Sequence, residues 1–163
     1  IKINQFYHFI LKGGLFYSFW YLFYNYVLIK HTTFEDDFIN IQVYSSAQIL
    51  KLIGFDVTRL YNIISIGEGF EVQINWQCNF TERLGIFFNF FISFPGSLKR
   101  MAKYIFICFT LLFITQIVRI ISFTICIKYF PQYWDSFHYY STYVYYYPLT
   151  LFLWYKYSEK VHV

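Results

Sequence analysis

Three side chains in this 163-residue chain are of types suited to acyl-transfer chemistry: Cys78, Arg119 and His138. A cysteine supplies a nucleophile, a histidine moves protons near neutral pH, and an arginine stabilises a developing anion. Cys78 sits in the stretch INWQCNFTERL. Asn79 is a good helix N-cap residue, and Glu82 falls three positions later, as in a capping box. On that reading Cys78 stands one residue before a helix N-terminus. Free amides and the macrodipole there favour an anion, and the thiolate is the reactive form of cysteine. The plainer alternative is a packed, inert cysteine. Arg119 lies inside a long apolar run, where an arginine costs ~2.5 kcal/mol or more unless it meets a partner or water. Two readings stand open for it, a polar interior site or snorkelling to an interface. Thr115, Gln116 and Ser122 share its helical face, which favours the interior site. His138 precedes Tyr139, Tyr140 and Tyr143, and reads as a proton carrier or as an interfacial histidine. Asp135 either orients it or caps a helix. Cys108 and Cys126 lie in apolar sequence and read as small hydrophobes. The spacing of the three cysteines fits no zinc motif, and the four histidines are scattered. No Gly-rich phosphate loop or HExxH motif occurs, so no metal and no cofactor is expected.

The elements that must position these residues follow from composition and periodicity. Hydrophobic residues make up 58% and charged residues 13%, against about 25% charged in an average soluble domain. Mean hydropathy is +0.40. These values argue against a soluble domain and against disorder. They predict an all-α polytopic membrane protein, a single membrane domain over residues 1–163, with about four transmembrane helices. Aromatics reach 27%, which we ascribe to an AT-rich genome as much as to function. The net charge of +4 forms no basic stripe, so nucleic acid is not an expected partner. The chain begins at Ile1 rather than Met, and a preceding segment is expected.

The spans are expected at about 10–29, 80–94, 101–128 and 137–155, with an extracytoplasmic segment over 30–79. The second would rise only ~22 Å and the third ~42 Å, against a hydrocarbon core of ~30 Å. Pro148 predicts a kink in the fourth. Within 30–79, Glu35, Asp36 and Asp37 suggest a solvated acidic loop. Residues 41–54 read as an interfacial amphipathic helix ending at Gly54. Residues 57–77 read as a β-hairpin. Phe70, Val72, Ile74 and Trp76 alternate with polar residues, and Gly67-Glu68-Gly69 supplies the turn. Lys99, Arg100 and Lys103 between spans two and three, with Lys156 and Lys160 after span four, place those segments in the cytoplasm. Cys78, Arg119 and His138 then all fall at the outer face, with Arg119 ~27 Å up its helix from Met101.

In their order, these residues resemble the exosortase/archaeosortase family of membrane transpeptidases. INWQC ends at Cys78, QIVRI holds Arg119, and YFPQYWDSFH ends at His138. FPGSLKR is similar to that family's cytoplasmic turn. The resemblance covers about residues 41–156 and is closest to the short exosortase-like proteins of the Bacteroidetes. Two positions depart from the family pattern: Phe80 stands where a glycine is common, and Gln116 where an asparagine is common. The resemblance implies a multi-pass protein of the bacterial cytoplasmic (inner) membrane whose site faces the periplasm. It implies a cysteine protease or transpeptidase that cleaves C-terminal sorting signals of exported proteins and needs no cofactor. Cys78 would be the nucleophile, His138 the acid and base, and Arg119 the oxyanion partner. Asn79, Gln116 and Trp76 would line or support the site. The expected partners are exported proteins with a motif, a span and a basic tail, together with the lipid bilayer.

Two other classes compete. A non-catalytic small membrane subunit of a large complex would explain the composition, and would leave the three residues scattered or Arg119 paired with another chain. A transporter fragment has little support, with one intramembrane charge and no broken-helix repeats.

Overall fold

The long aromatic and apolar runs of this chain form helices, and the short alternating runs form strands. The computed structural model describes residues 3–75, 78 and 80–159. Helix α1 (Ile3–Phe23) continues through a π-helical turn (Tyr24–Leu28) into a short α2 (Ile29–His31). Helix α3 (Phe34–Leu52) follows, then strands β1 (Val57–Leu60), β2 (Ile63–Ile66) and β3 (Glu71–Gln73). A 3-10 turn (Thr81–Arg83) leads into α4 (Leu84–Ser93), and α5 (Leu98–Tyr129) is the longest helix. Helices α6 (Trp134–Tyr145) and α7 (Tyr147–Glu159) complete the described chain. The fold is mostly helical with one small sheet.

Two sequence expectations need correction. The acidic segment is not a loop, because α3 begins at Phe34 rather than near residue 41. Glu35, Asp36 and Asp37 fill its first turn, where carboxylates suit the positive end of the helix dipole. Glu35 is buried at 6% exposure and accepts a hydrogen bond from the buried Tyr24 hydroxyl. Three acids in a row read as solvated until another helix brings a donor to one of them. The expected hairpin is instead a three-stranded antiparallel sheet in the order β1-β2-β3. Its registers pair Val57 with Ile66 and Ile64 with Val72. The LYNIISI run breaks at Tyr61, whose φ of 53° is left-handed, and the chain reverses there. Val57, Ile64, Ile66, Val72 and Ile74 face inward, as the period-two pattern requires.

Two apolar cores stack along α5. The first packs the sheet and α3 on the second half of α5, through Ile64, Leu50, Ile120 and Phe123. The second packs α4 and α7 on its first half, through Phe87, Phe91, Leu112, Leu153 and Tyr157. Helix α1 lies against α4 at close range. A Cβ on Gly85 would collide with the Trp20 indole ring, and one on Gly13 would lie 3.2 Å from Asn89 Oδ1. Ser97 caps α5 by accepting from the Arg100 amide at 3.4 Å. The expected fourth span is interrupted at Tyr146, two residues before Pro148, which sits in the first turn of α7, where proline is tolerated.

Helix α5 is long and apolar enough to cross a membrane, and only 28% of its most apolar 18-residue stretch is buried. Most of that stretch is left uncovered by the rest of the described chain. Its Phe106 is 72% exposed. Helix α4 has 10 residues and rises ~15 Å, too little to cross alone.

Candidate functional site

The site forms where the chain after the sheet meets the second half of α5 and the start of α6. Cys78 is 8% exposed. Its amide bonds back to the Asn75 carbonyl at 3.0 Å, which closes a tight turn after the last strand. Its Sγ lies 3.5 Å from His138 Nε2. Its carbonyl oxygen accepts from Arg119 Nη1 at 2.8 Å and from Gln116 Nε2 at 3.1 Å. Cys78, Arg119, His138 and Gln116 are thus brought together from three separate parts of the chain. Trp76 and Asn79 lie outside the described residues, so their expected places at the site have no counterpart here.

The local setting of Cys78 differs from the expectation in one respect. The α-helix starts at Leu84 rather than at about Phe80, and Thr81–Arg83 is a 3-10 turn whose N-cap, Phe80, offers no side-chain acceptor. The dipole of α4 therefore begins six residues past Cys78. The positive charge near Cys78 comes from Arg119 instead.

Arg119 is 2% exposed and has no carboxylate partner among the described residues. Neutral acceptors surround its guanidinium. Nε donates to Ser141 Oγ at 2.9 Å, Nη2 to Thr142 Oγ1 at 3.3 Å, and Nη1 to the Tyr146 hydroxyl at 3.5 Å as well as to the Cys78 carbonyl. The plane lies over the Phe123 ring at 4.8 Å and the Tyr146 ring at 5.4 Å, both favourable cation–π distances. Tyr146 in turn donates to Gln116 Oε1. The interior reading of Arg119 holds, and snorkelling does not.

His138 is held by packing. Its ring stacks on Trp134 at 5.8 Å and meets Phe123 at 5.3 Å. Its carbonyl accepts from Ser141 Oγ at 2.8 Å, which links it to Arg119 through one hydroxyl. Asp135 makes no hydrogen bond to the ring among the described residues. A cleft of about 260 Å³ opens on the other side, lined by Arg83, Arg119, His138, Tyr139, Thr142, Tyr143 and Tyr147. Cys78 does not line it, so its sulfur meets the cleft by way of His138.

Sequence reading missed Ser141, Thr142, Tyr146 and Arg83. A signal existed for the first two. Residues 138, 141, 142 and 145 fall on one helical face, and all four are polar-tipped. From sequence Arg83 reads only as a pairing or capping residue beside Glu82, because its approach to the cleft depends on the 3-10 turn before α4. Cys108 is fully buried in the second core, and Cys126 lies near the C-terminal end of α5. No protein-family model, no curated protein and no solved structure matches this chain. Its functional reading rests on the site's own geometry.

The arrangement can do specific chemistry. A thiol within reach of an imidazole can lose its proton to that ring and attack an electrophile. A buried guanidinium beside it, with no carboxylate partner among the described residues, favours any anion formed nearby.

Proposed function

We propose that this chain is a membrane-embedded cysteine peptidase or transpeptidase of the exosortase type, acting on C-terminal sorting signals of exported proteins. The observation that carries the reading is the 3.5 Å approach of Cys78 Sγ to His138 Nε2 beside a buried Arg119 that has no carboxylate partner among the described residues. Cys78 Sγ attacks the scissile carbonyl carbon, and its proton passes to His138 Nε2. The carbonyl π-electrons move to oxygen, and the resulting oxyanion is stabilised by Arg119 through the Nη2 edge that points toward Thr142. Collapse breaks the C–N bond, His138 gives its proton to the leaving amine, and a thioester on Cys78 remains. Water or an acceptor amine then attacks the thioester, with His138 taking its proton; collapse breaks the C–S bond, and the Cys78 thiolate that leaves regains the proton from His138. Cys78 is only 8% exposed, so attack requires the substrate to enter beside His138 from the cleft.

The membrane setting has its own support. The apolar outer surface of α5 has few buried residues. Leu11, Leu15 and Phe19 on α1, and Leu151 and Phe152 on α7, are more than half exposed. Apolar surface on this scale belongs against lipid or another chain. We place α1, α5 and the α6–α7 pair across the inner membrane, with α4 entering it part-way, and the sheet, α3 and Cys78 on the periplasmic side. The competing structural-subunit reading expects Arg119 to await a partner chain. Its donors already meet Cys78, Ser141, Thr142 and Tyr146 within this one.

The test is co-expression with exported proteins of the same genome that end in a span and a basic tail. Processing should leave a hydroxylamine-sensitive acyl group on Cys78, detected by mass spectrometry of the trapped peptide. Cys78→Ala should abolish it, and His138→Ala should slow it by ~10²-fold or more. Equal processing by Cys78→Ala would end the proposal.

A further inference from the structure

The end of the molecule opposite Cys78 carries a second and larger cleft, of about 580 Å³. It lies between α1, the last turn of α4, the 94–98 connection and α7. Phe9, Phe91, Phe94 and Met101 give it an apolar wall. His8 and Lys12, one turn apart on α1, give it a polar rim, and no Asp or Glu lines it. Both rim residues are exposed, and Lys12 makes no ion pair among the described residues.

Charge at this end is one-sided. Lys99, Arg100 and Lys103 occupy the first turns of α5, and Lys156 the last turn of α7. The acid there among the described residues is Glu159, bonded to Lys156 at 3.0 Å. The remaining acids belong to the opposite end: Glu35, Asp36 and Asp37 on α3, Asp56, Glu68 and Glu71 around the sheet, Glu82 before α4, and Asp135 in the first turn of α6. A cationic rim over an apolar slot is complementary to an amphiphile with an anionic head. Free phosphate would leave the aromatic wall unused, and a neutral lipid would leave Lys12 unused. The volume lies within the range of ligand pockets. Basic pockets between helices at a cytoplasmic face are suited to anionic lipid headgroups.

We propose that this cleft binds an anionic phospholipid, with the headgroup phosphate on Lys12 and His8 and the start of one acyl chain against Phe9, Phe91 and Phe94. The inference rests on the membrane reading of the chain and not on its catalysis. The rim is remote from Cys78, so lipid binding and thiol chemistry fail independently.

Native mass spectrometry of the purified full chain, released from micelles doped with phosphatidylglycerol or phosphatidylcholine, tests it. Phosphatidylglycerol should be retained in preference. The double variant Lys12→Gln, His8→Gln should weaken retention about fivefold for the cation lost. Lys12→Arg should restore it, and Lys51→Gln, on α3 at the far end, should leave it unchanged. Equal retention of the two lipids overturns the proposal, as does full retention by the double variant. Displacement of the lipid by inorganic phosphate alone also overturns it, since the site would then read the anion without the chain. Release of the chain from membranes by alkaline carbonate would refute the membrane reading as well. Loss of lipid preference in a carbonate-resistant chain would refute this inference alone.

Discussion

Replacing Arg119 by methionine should leave the protein folded at close to its normal stability while removing its activity. The guanidinium is 2% exposed and faces only neutral partners. Two short bonds, to the Cys78 carbonyl at 2.8 Å and Ser141 Oγ at 2.9 Å, are lost in the variant. Bonds from a charged donor contribute about 1.5–3 kcal/mol each, so the loss is about 3–6 kcal/mol. Against this, an unpaired buried ion carries an effective desolvation penalty of several kcal/mol, which the variant no longer bears. The partners are not orphaned. Gln116 still donates to the Cys78 carbonyl, Ser141 still donates to the His138 carbonyl, and Tyr146 still donates to Gln116. Methionine also fills much of the space among Phe123 and Tyr146 as an apolar, adaptable chain. The opposing terms leave a net change within about 2 kcal/mol of zero. Equilibrium unfolding in detergent micelles, followed by the fluorescence of the four tryptophans, measures it. In parallel, thioester formation on Cys78 should fall by ~10²-fold or more, the loss typical of a removed oxyanion donor. A destabilisation beyond ~4 kcal/mol would refute the reasoning, because Arg119 would then be a structural anchor of α5, α6 and the Cys78 turn.

Two further outcomes follow from the packing and the charge distribution. Gly85→Ala should destabilise by about 1–3 kcal/mol, because its Cβ would meet the Trp20 ring; Gly14→Ala, where a Cβ meets nothing within 4 Å, should be neutral or stabilising in the same unfolding assay. In intact cells, a membrane-impermeant thiol reagent should label a cysteine placed at Glu68, near the sheet, and fail to label one placed at Lys103. Labelling at both positions, or at Lys103 alone, would overturn the orientation assigned from the basic residues.

The sequence by itself determined the classes of element and the order of the reactive residues. Alternation from Phe70 to Ile74 marked a strand with an apolar face, because a strand's period is two whatever it packs on. The apolar run from Met101 to Lys128 marked a helix, and the structure extends it to Leu98–Tyr129. Gln116 and Arg119 could be placed on one face from helical spacing alone. Composition argued against an ordinary soluble domain. Tertiary structure decided the rest. Glu35 changed from a solvated acid to a buried acceptor once Tyr24 reached it from the π-helical turn after α1. The start of α4 moved from about Phe80 to Leu84, since local capping propensity is worth only about 1 kcal/mol and tertiary packing overrides it. Above all, the 3.5 Å approach of Cys78 to His138 joins residues sixty positions apart. Spacing along a chain fixes neighbours within one element and says nothing of distances between elements. Those distances are set here by the two cores stacked along α5, which bring the end of the sheet and the start of α6 to the same stretch of helix around Arg119.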